Sequence, residues 1–101
     1  MAFHPASTLG QLPPGALTEV SIEGKQIALC NVEGVIHAID GVCPHRSGPL
    51  AEGALHGTMV VCPWHAWEFD CVTGRHDYNP GIQLETYQVK VEGDDILVEL
   101  P

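Results

Sequence analysis

CPHRSGPLAEG at residues 43–53 and CPWHAWEFD at residues 62–70 carry the strongest signal in this sequence. Each stretch begins with a cysteine followed at once by a proline, and a histidine comes two positions after the first cysteine and three positions after the second. Thiolates and imidazoles are common ligands of transition metals in proteins. The two stretches therefore predict a metal centre whose candidate ligands are Cys43, His45, Cys62 and His65.

Local backbone geometry favours convergence of the two ligand pairs. In extended backbone, residues i and i+2 project to the same side, so Cys43 and His45 can face one centre. A tight turn does the same for Cys62 and His65. The proline after each cysteine biases that cysteine toward extended geometry, which preorganises the ligands.

The mixed ligand pairs distinguish two kinds of metal site. Zinc fingers generally group cysteine with cysteine and histidine with histidine. A binuclear iron–sulfur cluster accounts for mixed pairs if one iron takes both thiolates and the other takes both imidazoles, as in Rieske centres. Tetrahedral zinc remains the alternative at this point, and it would give a colourless protein.

The rest of the sequence favours short strands over helices, because apolar and polar residues alternate and are interrupted by Gly, Pro and Asp turns. The expected strands are 18–22, 26–31, 35–39, 59–61, 66–70, 86–91 and 96–100, with turns at Glu23-Gly24 and Glu33-Gly34. We therefore predict an all-β fold with a small antiparallel β-sandwich base.

Residues 40–82 differ from the flanking segments, since Gly and Pro become frequent and most of the histidines lie there. Loops of this length in a small domain are usually functional or are held in place by a bound group. We predict a single domain over residues 1–101, in which a cluster-binding subdomain at about 40–82 is inserted between two parts of a β base, 1–39 and 83–101.

The charge of the chain limits its partners. Four basic residues face thirteen acidic ones, which gives a net charge of −9. Such a chain repels phosphate backbones and anionic lipid headgroups, so neither nucleic acid nor a membrane is expected as a partner. A partner with a basic docking surface is the natural complement, and acidity that serves solubility alone is the alternative.

The sequence shows no sign of a membrane segment. No apolar run approaches the about 20 residues that span a bilayer. The first five residues also lack a basic segment followed by an apolar stretch. We therefore expect a cytoplasmic protein.

The remaining cysteines and histidines carry weaker signals. Cys30 and Cys71 have no neighbouring ligand residues and are expected to be small buried hydrophobic residues, with redox sensing as the lesser alternative. His37 is expected to be partly buried in a strand, and His4, His56 and His76 to lie on the surface or in loops.

The chain resembles the Rieske ferredoxins, the free-standing electron carriers of bacterial aromatic-ring oxygenases. The resemblance rests on 43–53 and 62–70 and extends to 34–40, Thr73-Gly74, Pro80 and 87–95, so it covers most of the chain. It implies one [2Fe-2S] cluster, with the histidine ligands at an exposed tip and the cysteine ligands deeper. It also implies two further cofactor-binding residues, Trp67 as a shield and Pro80 in a third loop over the cluster, for which ordinary packing and a plain turn are the alternatives.

The resemblance implies an electron carrier that has no catalytic residues of its own. Its expected partners are a flavin-dependent ferredoxin reductase, which would supply single electrons, and a terminal oxygenase, which would accept them. A redox subunit of another complex, such as a nitrite-reductase-type assembly, is the alternative. An oxygenase would need a second, mononuclear iron site in a substrate pocket, for which 101 residues are too few.

We predict a reduction potential in the lower part of the Rieske range of about −150 to +300 mV. High-potential relatives carry a disulfide between the cluster loops and hydroxyl donors to the cluster sulfurs. At the matching positions this chain has Gly48, Trp64, Trp67 and Phe69. Fewer donors and the acidic field both disfavour the added electron. A redox titration checks this, and a strongly positive midpoint at neutral pH would contradict it.

Overall fold

The computed structural model describes residues 2–42, 49–63, 67–76 and 81–100, which are built mainly from antiparallel strands. The strands are β1 (Ala2–Thr8), β2 (Leu17–Ile22), β3 (Lys25–Val32), β4 (Val35–Asp40), β5 (Ala54–His56), β6 (Met59–Val61), β7 (Glu68–Asp70), β8 (Thr86–Tyr87), β9 (Val89–Glu92) and β10 (Asp95–Leu100). Short 3₁₀ helices lie at Leu9–Gln11 and Leu50–Glu52. These described ranges contain no α-helix, and none of their helices has the length and apolar character to cross a membrane.

Two antiparallel sheets form the base. One has the strand order β2-β3-β4-β8 and the other β1-β10-β9. Ile27 and Leu29 of β3 share one apolar cluster with Ile96 and Val98 of β10, and all four side chains are fully buried. The predicted all-β sandwich is therefore confirmed.

A third sheet, β5-β6-β7, packs on the other face of β3. Because side chains alternate along a strand, Ala28 and Cys30 point away from the sandwich core. They belong instead to a second apolar cluster, together with Val60 of β6 and Phe69 of β7. Burial on both faces accounts for the unbroken apolar run at 27–30.

The two tight turns of the first sheet occur where the sequence predicts them. Glu23 and Gly24 have φ angles of 53° and 80°, and Glu33 and Gly34 have φ angles of 52° and 95°. Positive φ at both central residues is the hairpin geometry that matches the twist of the flanking strands. These turns set the register of the β2-β3-β4 meander.

Several strand predictions are confirmed and others are corrected. The predicted strands 18–22, 26–31 and 35–39 differ from β2, β3 and β4 by at most one residue at each end, and 59–61 is β6. The predicted strand 86–91 is in fact two strands: β8 pairs with β4 and β9 pairs with β10, so the chain changes sheets at Gln88. Neither β1 nor β5 was expected from the sequence; in β1, Pro5 lies at a register shift that obscures the alternation.

Candidate metal centre

The two predicted ligand segments are flanked by residues that pair with each other. Val42 and Pro49, on either side of 43–48, form an antiparallel bridge. The N–H of Cys62 donates to the carbonyl oxygen of Trp67 at 2.7 Å. Backbone pairing therefore holds together the two ends of each segment.

A third segment is closed in the same way. The N–H of His76 donates to the carbonyl oxygen of Ile82 at 3.0 Å, and Arg75 bridges to Gln83. These contacts flank residues 77–80, the third loop that the resemblance places near the cluster.

The three closures share one apolar core. Leu50, Cys62 and Phe69 are buried in the second cluster, and Trp67 and Ile82 pack against it. Leu50 follows the first segment, Cys62 and Trp67 flank the second, and Ile82 follows the third. The fold thus gathers the ends of three segments that are distant in sequence onto the same group of side chains.

Cys62 is the predicted ligand whose surroundings the structure describes. It directly follows β6, its side chain is 1% exposed, and its neighbours in the cluster are apolar. A thiolate in such surroundings is costly unless a cation compensates its charge. Binding to iron supplies that compensation, so the chemistry of this donor fits an iron–sulfur centre. Small-hydrophobe packing of a neutral thiol is the competing interpretation.

Gly53, which lies after the first ligand segment and the 3₁₀ helix at Leu50–Glu52, allows the chain there to pack against the strand that leads to Cys62. A Cβ built on Gly53 would lie 1.7 Å from the carbonyl oxygen of Val61 and 3.2 Å from Cδ of Pro63. Backbone atoms cannot rotate away as a side chain can, so no other residue fits without displacing one of the two segments. Gly53 lies within the sequence motif, but its residue type and spacing alone do not indicate this role.

His76 corrects a sequence prediction. It was expected on the surface or in a loop, yet its exposure is only 9%. Its backbone pairs with Phe69, and its ring meets the rings of Trp67 and Phe69 edge-on, with centroid distances of 4.5 and 5.3 Å. His76 has polar neighbours in the sequence, but its pairing with β7 places its ring against the aromatic side chains of the core.

Trp67 packs against aromatic neighbours, a contact that both interpretations of this residue allow. It is half-buried and lies against Phe69 as well as His76. This aromatic group begins directly after the second ligand segment in the chain. Its role as a shield of the cofactor stays a prediction.

A polar network anchors the chain just before the first ligand segment. The hydroxyl of Tyr87 donates to Oδ1 of Asp40 at 2.6 Å, and the N–H of Asp40 donates to the carbonyl oxygen of Glu85 at 3.0 Å. Burial and the hydrogen bond to Asp40 raise the pKa of Tyr87 well above its usual range, so the phenol keeps its proton. Asp40 is therefore held by two contacts, one to Tyr87 of β8 and one to Glu85, the residue that precedes β8.

The other predicted site residues stay predictions. Cys43, His45, His65 and Pro80 lie outside the described residues, as does Trp64. Among the secondary residues, Cys30 and Cys71 are buried as expected and His37 is partly buried. His56 is exposed.

A β base that carries an inserted sheet, with candidate cysteine and histidine ligands at its edge in the sequence, is the arrangement of a small metal-binding domain. The model of the Rieske [2Fe-2S] domain family matches residues 2–97 of this sequence. The chain belongs to this family, whose cofactor is one [2Fe-2S] cluster.

Curated relatives match nearly the whole chain. The ferredoxin component of the naphthalene 1,2-dioxygenase system of Pseudomonas aeruginosa is 40% identical over 96 residues, which cover 94% of this chain and 92% of that protein. The biphenyl dioxygenase ferredoxin subunit of Pseudomonas sp. strain KKS102 is 34% identical and covers 98% of this chain and 93% of its own length.

Solved structures share the same fold. The ferredoxin of carbazole 1,9a-dioxygenase from Nocardioides aromaticivorans IC177 superposes with a TM-score of 0.89 at 29% identity, over 97% of both chains. A chain in a complex of reduced oxygenase and oxidized ferredoxin of carbazole 1,9a-dioxygenase gives 0.87 at 26% identity, over 95% of this chain and 91% of that one. A structure described as a putative NADH-dependent nitrite reductase small subunit from Mycobacterium tuberculosis also gives 0.87, at 25% identity and over 96% and 93%.

We predict that Gly53→Ala prevents stable assembly of the metal centre. The added methyl group must displace Val61 or Pro63, at a cost of about 3 kcal/mol of unfolding free energy, and most of the bound iron should be lost. Unfolding curves and iron content per chain measure both effects. Gly10→Ala is the matched control, because a Cβ at Gly10 has no atom within 4 Å; equal behaviour of the two variants would contradict the prediction.

Proposed function

We propose that this chain is a Rieske ferredoxin that carries single electrons from a flavin-dependent reductase to a terminal oxygenase. Its ligands are Cys43 and Cys62 on one iron and His45 and His65 on the other. The chain itself performs no substrate chemistry. Trp67 and Pro80 lie next to the cluster in this proposal.

The observation that carries the proposal is the identity of 40% along almost the full length of a dioxygenase-system ferredoxin component. The chain covers 92% of that relative, so the likeness is to a whole electron carrier. The buried surroundings of Cys62 support the same assignment, because they suit a metal-bound thiolate.

A nitrite-reductase-type redox subunit is the second candidate, and the similarity to a putative small subunit of that kind is the observation in its favour. That similarity holds at 25% identity, against 40% for the dioxygenase ferredoxin component. The ferredoxin assignment is therefore the better supported. Mixing the reduced protein with a terminal oxygenase and with a nitrite reductase, and following which one oxidises it, distinguishes the two.

The chain's own residues would serve the electron transfer by fixed geometry. When bound, the cluster supplies the one-electron couple. Cys62 is held away from water by the apolar core, and the backbone closures at Val42–Pro49 and Cys62–Trp67 hold together the ends of the two ligand segments. A site that changed little on reduction would favour fast transfer, and the histidine ligands, which the resemblance places at an exposed tip, would be the electron's route.

We predict that Cys62→Ala abolishes cluster binding while Cys71→Ala does not. Both side chains are 1% exposed and both belong to the second core cluster, so loss of packing is similar in the two variants. Only the first removes a proposed ligand. Iron and acid-labile sulfide per chain, with the visible spectrum, measure the outcome.

Retention of the visible spectrum and of both irons in Cys62→Ala would rule out this thiolate as a ligand. Loss of iron in both variants to the same extent would show that core packing, and not ligation, is what the substitution disturbs. A colourless wild-type protein that contains zinc would favour the zinc alternative.

The proposed partner is an oxygenase with a basic docking surface. The net charge of −9 favours association with positive surfaces. Glu52, on the 3₁₀ helix that follows the first ligand segment, is an exposed acidic residue close in sequence to the proposed centre. The complex of reduced oxygenase and oxidized ferredoxin among the similar structures supports this kind of partner.

We predict that electron transfer to the oxygenase slows as salt is added. Raising ionic strength from about 0.05 to 0.5 M shortens the screening length several-fold and should lower the second-order rate constant about tenfold. Stopped-flow mixing of the reduced protein with oxygenase measures it. At low salt Glu52→Gln should slow the reaction about twofold, and Asp94→Asn, in the turn between β9 and β10, is the control. A rate that salt leaves unchanged would contradict a charge-steered encounter.

A further inference from the structure

Two cysteines outside the proposed metal centre meet inside the protein. Cys30 lies on β3 of the base and Cys71 lies directly after β7 of the inserted sheet. Their side chains are 0% and 1% exposed, both are free thiols, and both belong to the second core cluster. Neither residue is needed as a ligand by the proposed function.

The backbone holds both thiols in place. Cys30 pairs with His37 across the β3-β4 ladder, and its Sγ lies 3.7 Å from the carbonyl oxygen of His37. The N–H of Cys71 donates to the carbonyl oxygen of Thr58 at 2.8 Å. The contact between the thiols therefore follows from the packing of the third sheet on β3.

The two thiols are chemically unequal. The hydrogen bond from Cys30 lowers the pKa of Cys71, although burial and the nearby Asp70 carboxylate oppose this. The same hydrogen bond, together with burial, keeps the pKa of Cys30 far above its usual range. Cys71 is therefore the thiol that more readily becomes a thiolate and acts as the nucleophile.

A small oxidant has a route to this pair. Cys71 lines a pocket of about 260 Å³ at the junction of the base and the inserted sheet, together with His37, Thr86 and Tyr87. Hydrogen peroxide is close to water in size, so a pocket of this volume admits it.

We propose that Cys30 and Cys71 form a dithiol that hydrogen peroxide oxidises to a disulfide, cross-linking β3 to the turn that follows β7. The Cys71 thiolate attacks one peroxide oxygen, the O–O bond breaks, and hydroxide leaves and takes up a proton to form water. The resulting sulfenic acid is attacked by the sulfur of Cys30, which gives the S–S bond and a second water. In total two thiols lose two electrons and two protons, and one peroxide is reduced to two waters.

The cross-link would enclose the proposed metal ligands in one covalently closed loop. All four proposed ligands lie between residues 30 and 71, so the disulfide closes a loop that contains every one of them. Closing a loop of this length restricts the unfolded chain and stabilises the folded one. The oxidised protein should therefore melt at a temperature about 10 °C above that of the reduced protein. Formation of the disulfide does not itself depend on the proposed function.

The test is peroxide treatment of the purified holoprotein, followed by alkylation of remaining thiols, pepsin digestion and mass spectrometry. The expected result is a Cys30–Cys71 cross-linked peptide, lighter by two hydrogen atoms than the two reduced peptides together. It should form while the visible absorbance persists and should disappear on treatment with dithiothreitol. Thermal melting before and after oxidation measures the stabilisation.

Cys30→Ala and Cys71→Ala are the matched variants, and each should lose both the cross-link and the shift in melting temperature. If either variant fails to fold, the wild-type peptide map decides alone.

Three results would overturn the proposal: both thiols stay open to alkylation in the unfolded, peroxide-treated protein; Cys71 is oxidised without joining Cys30; or the only disulfide contains Cys43 or Cys62 and forms after the absorbance is lost. A protein without iron would refute the proposed function and leave the peptide map of Cys30 and Cys71 still decisive.

Discussion

Burial of β3 on both of its faces is the constraint on which the rest of the structure depends. Ile27 and Leu29 close the sandwich core, while Ala28 and Cys30 receive the sheet that carries Cys62. One strand therefore belongs to two apolar cores, and burial of apolar surface is the main favourable contribution to folding.

This arrangement explains how so short a chain can hold an iron–sulfur cluster. The inserted sheet has strands of only three residues each, which could not stand alone. It relies on β3 and β4 for its core, and its ligand segments are closed by backbone pairing at their bases. The cluster would then join segments whose ends are already close.

The sequence predicts the meander and the hairpin turns well, because period-2 alternation and Glu-Gly turns are local signals. It misses β1, where Pro5 obscures the pattern, and treats 86–91 as one strand, because the change of sheet at Gln88 depends on tertiary pairing. At the site, the ligand motif is readable from residue types and spacing. The roles of Gly53 and His76 are not, since each depends on which backbone packs against it.

The proximity of Cys30 and Cys71 also depends on tertiary packing that local sequence does not indicate. Nothing local marks two cysteines 41 positions apart as neighbours, and only the packing of the turn after β7 on β3 brings them together. The sequence looks the same whether Cys30 and Cys71 are two separate buried hydrophobic residues or two neighbouring thiols. Only the structure shows that they share one core.

Pulsed EPR of the reduced protein, with histidine labelled by nitrogen-15, tests the mixed ligation most directly. We expect magnetic coupling to one nitrogen from each of two histidines, because His45 and His65 would both bind the same iron of the cluster. A cluster signal without histidine coupling would show that only sulfur ligands hold the irons. A reduced protein with no EPR signal and no iron would contradict the assignment altogether.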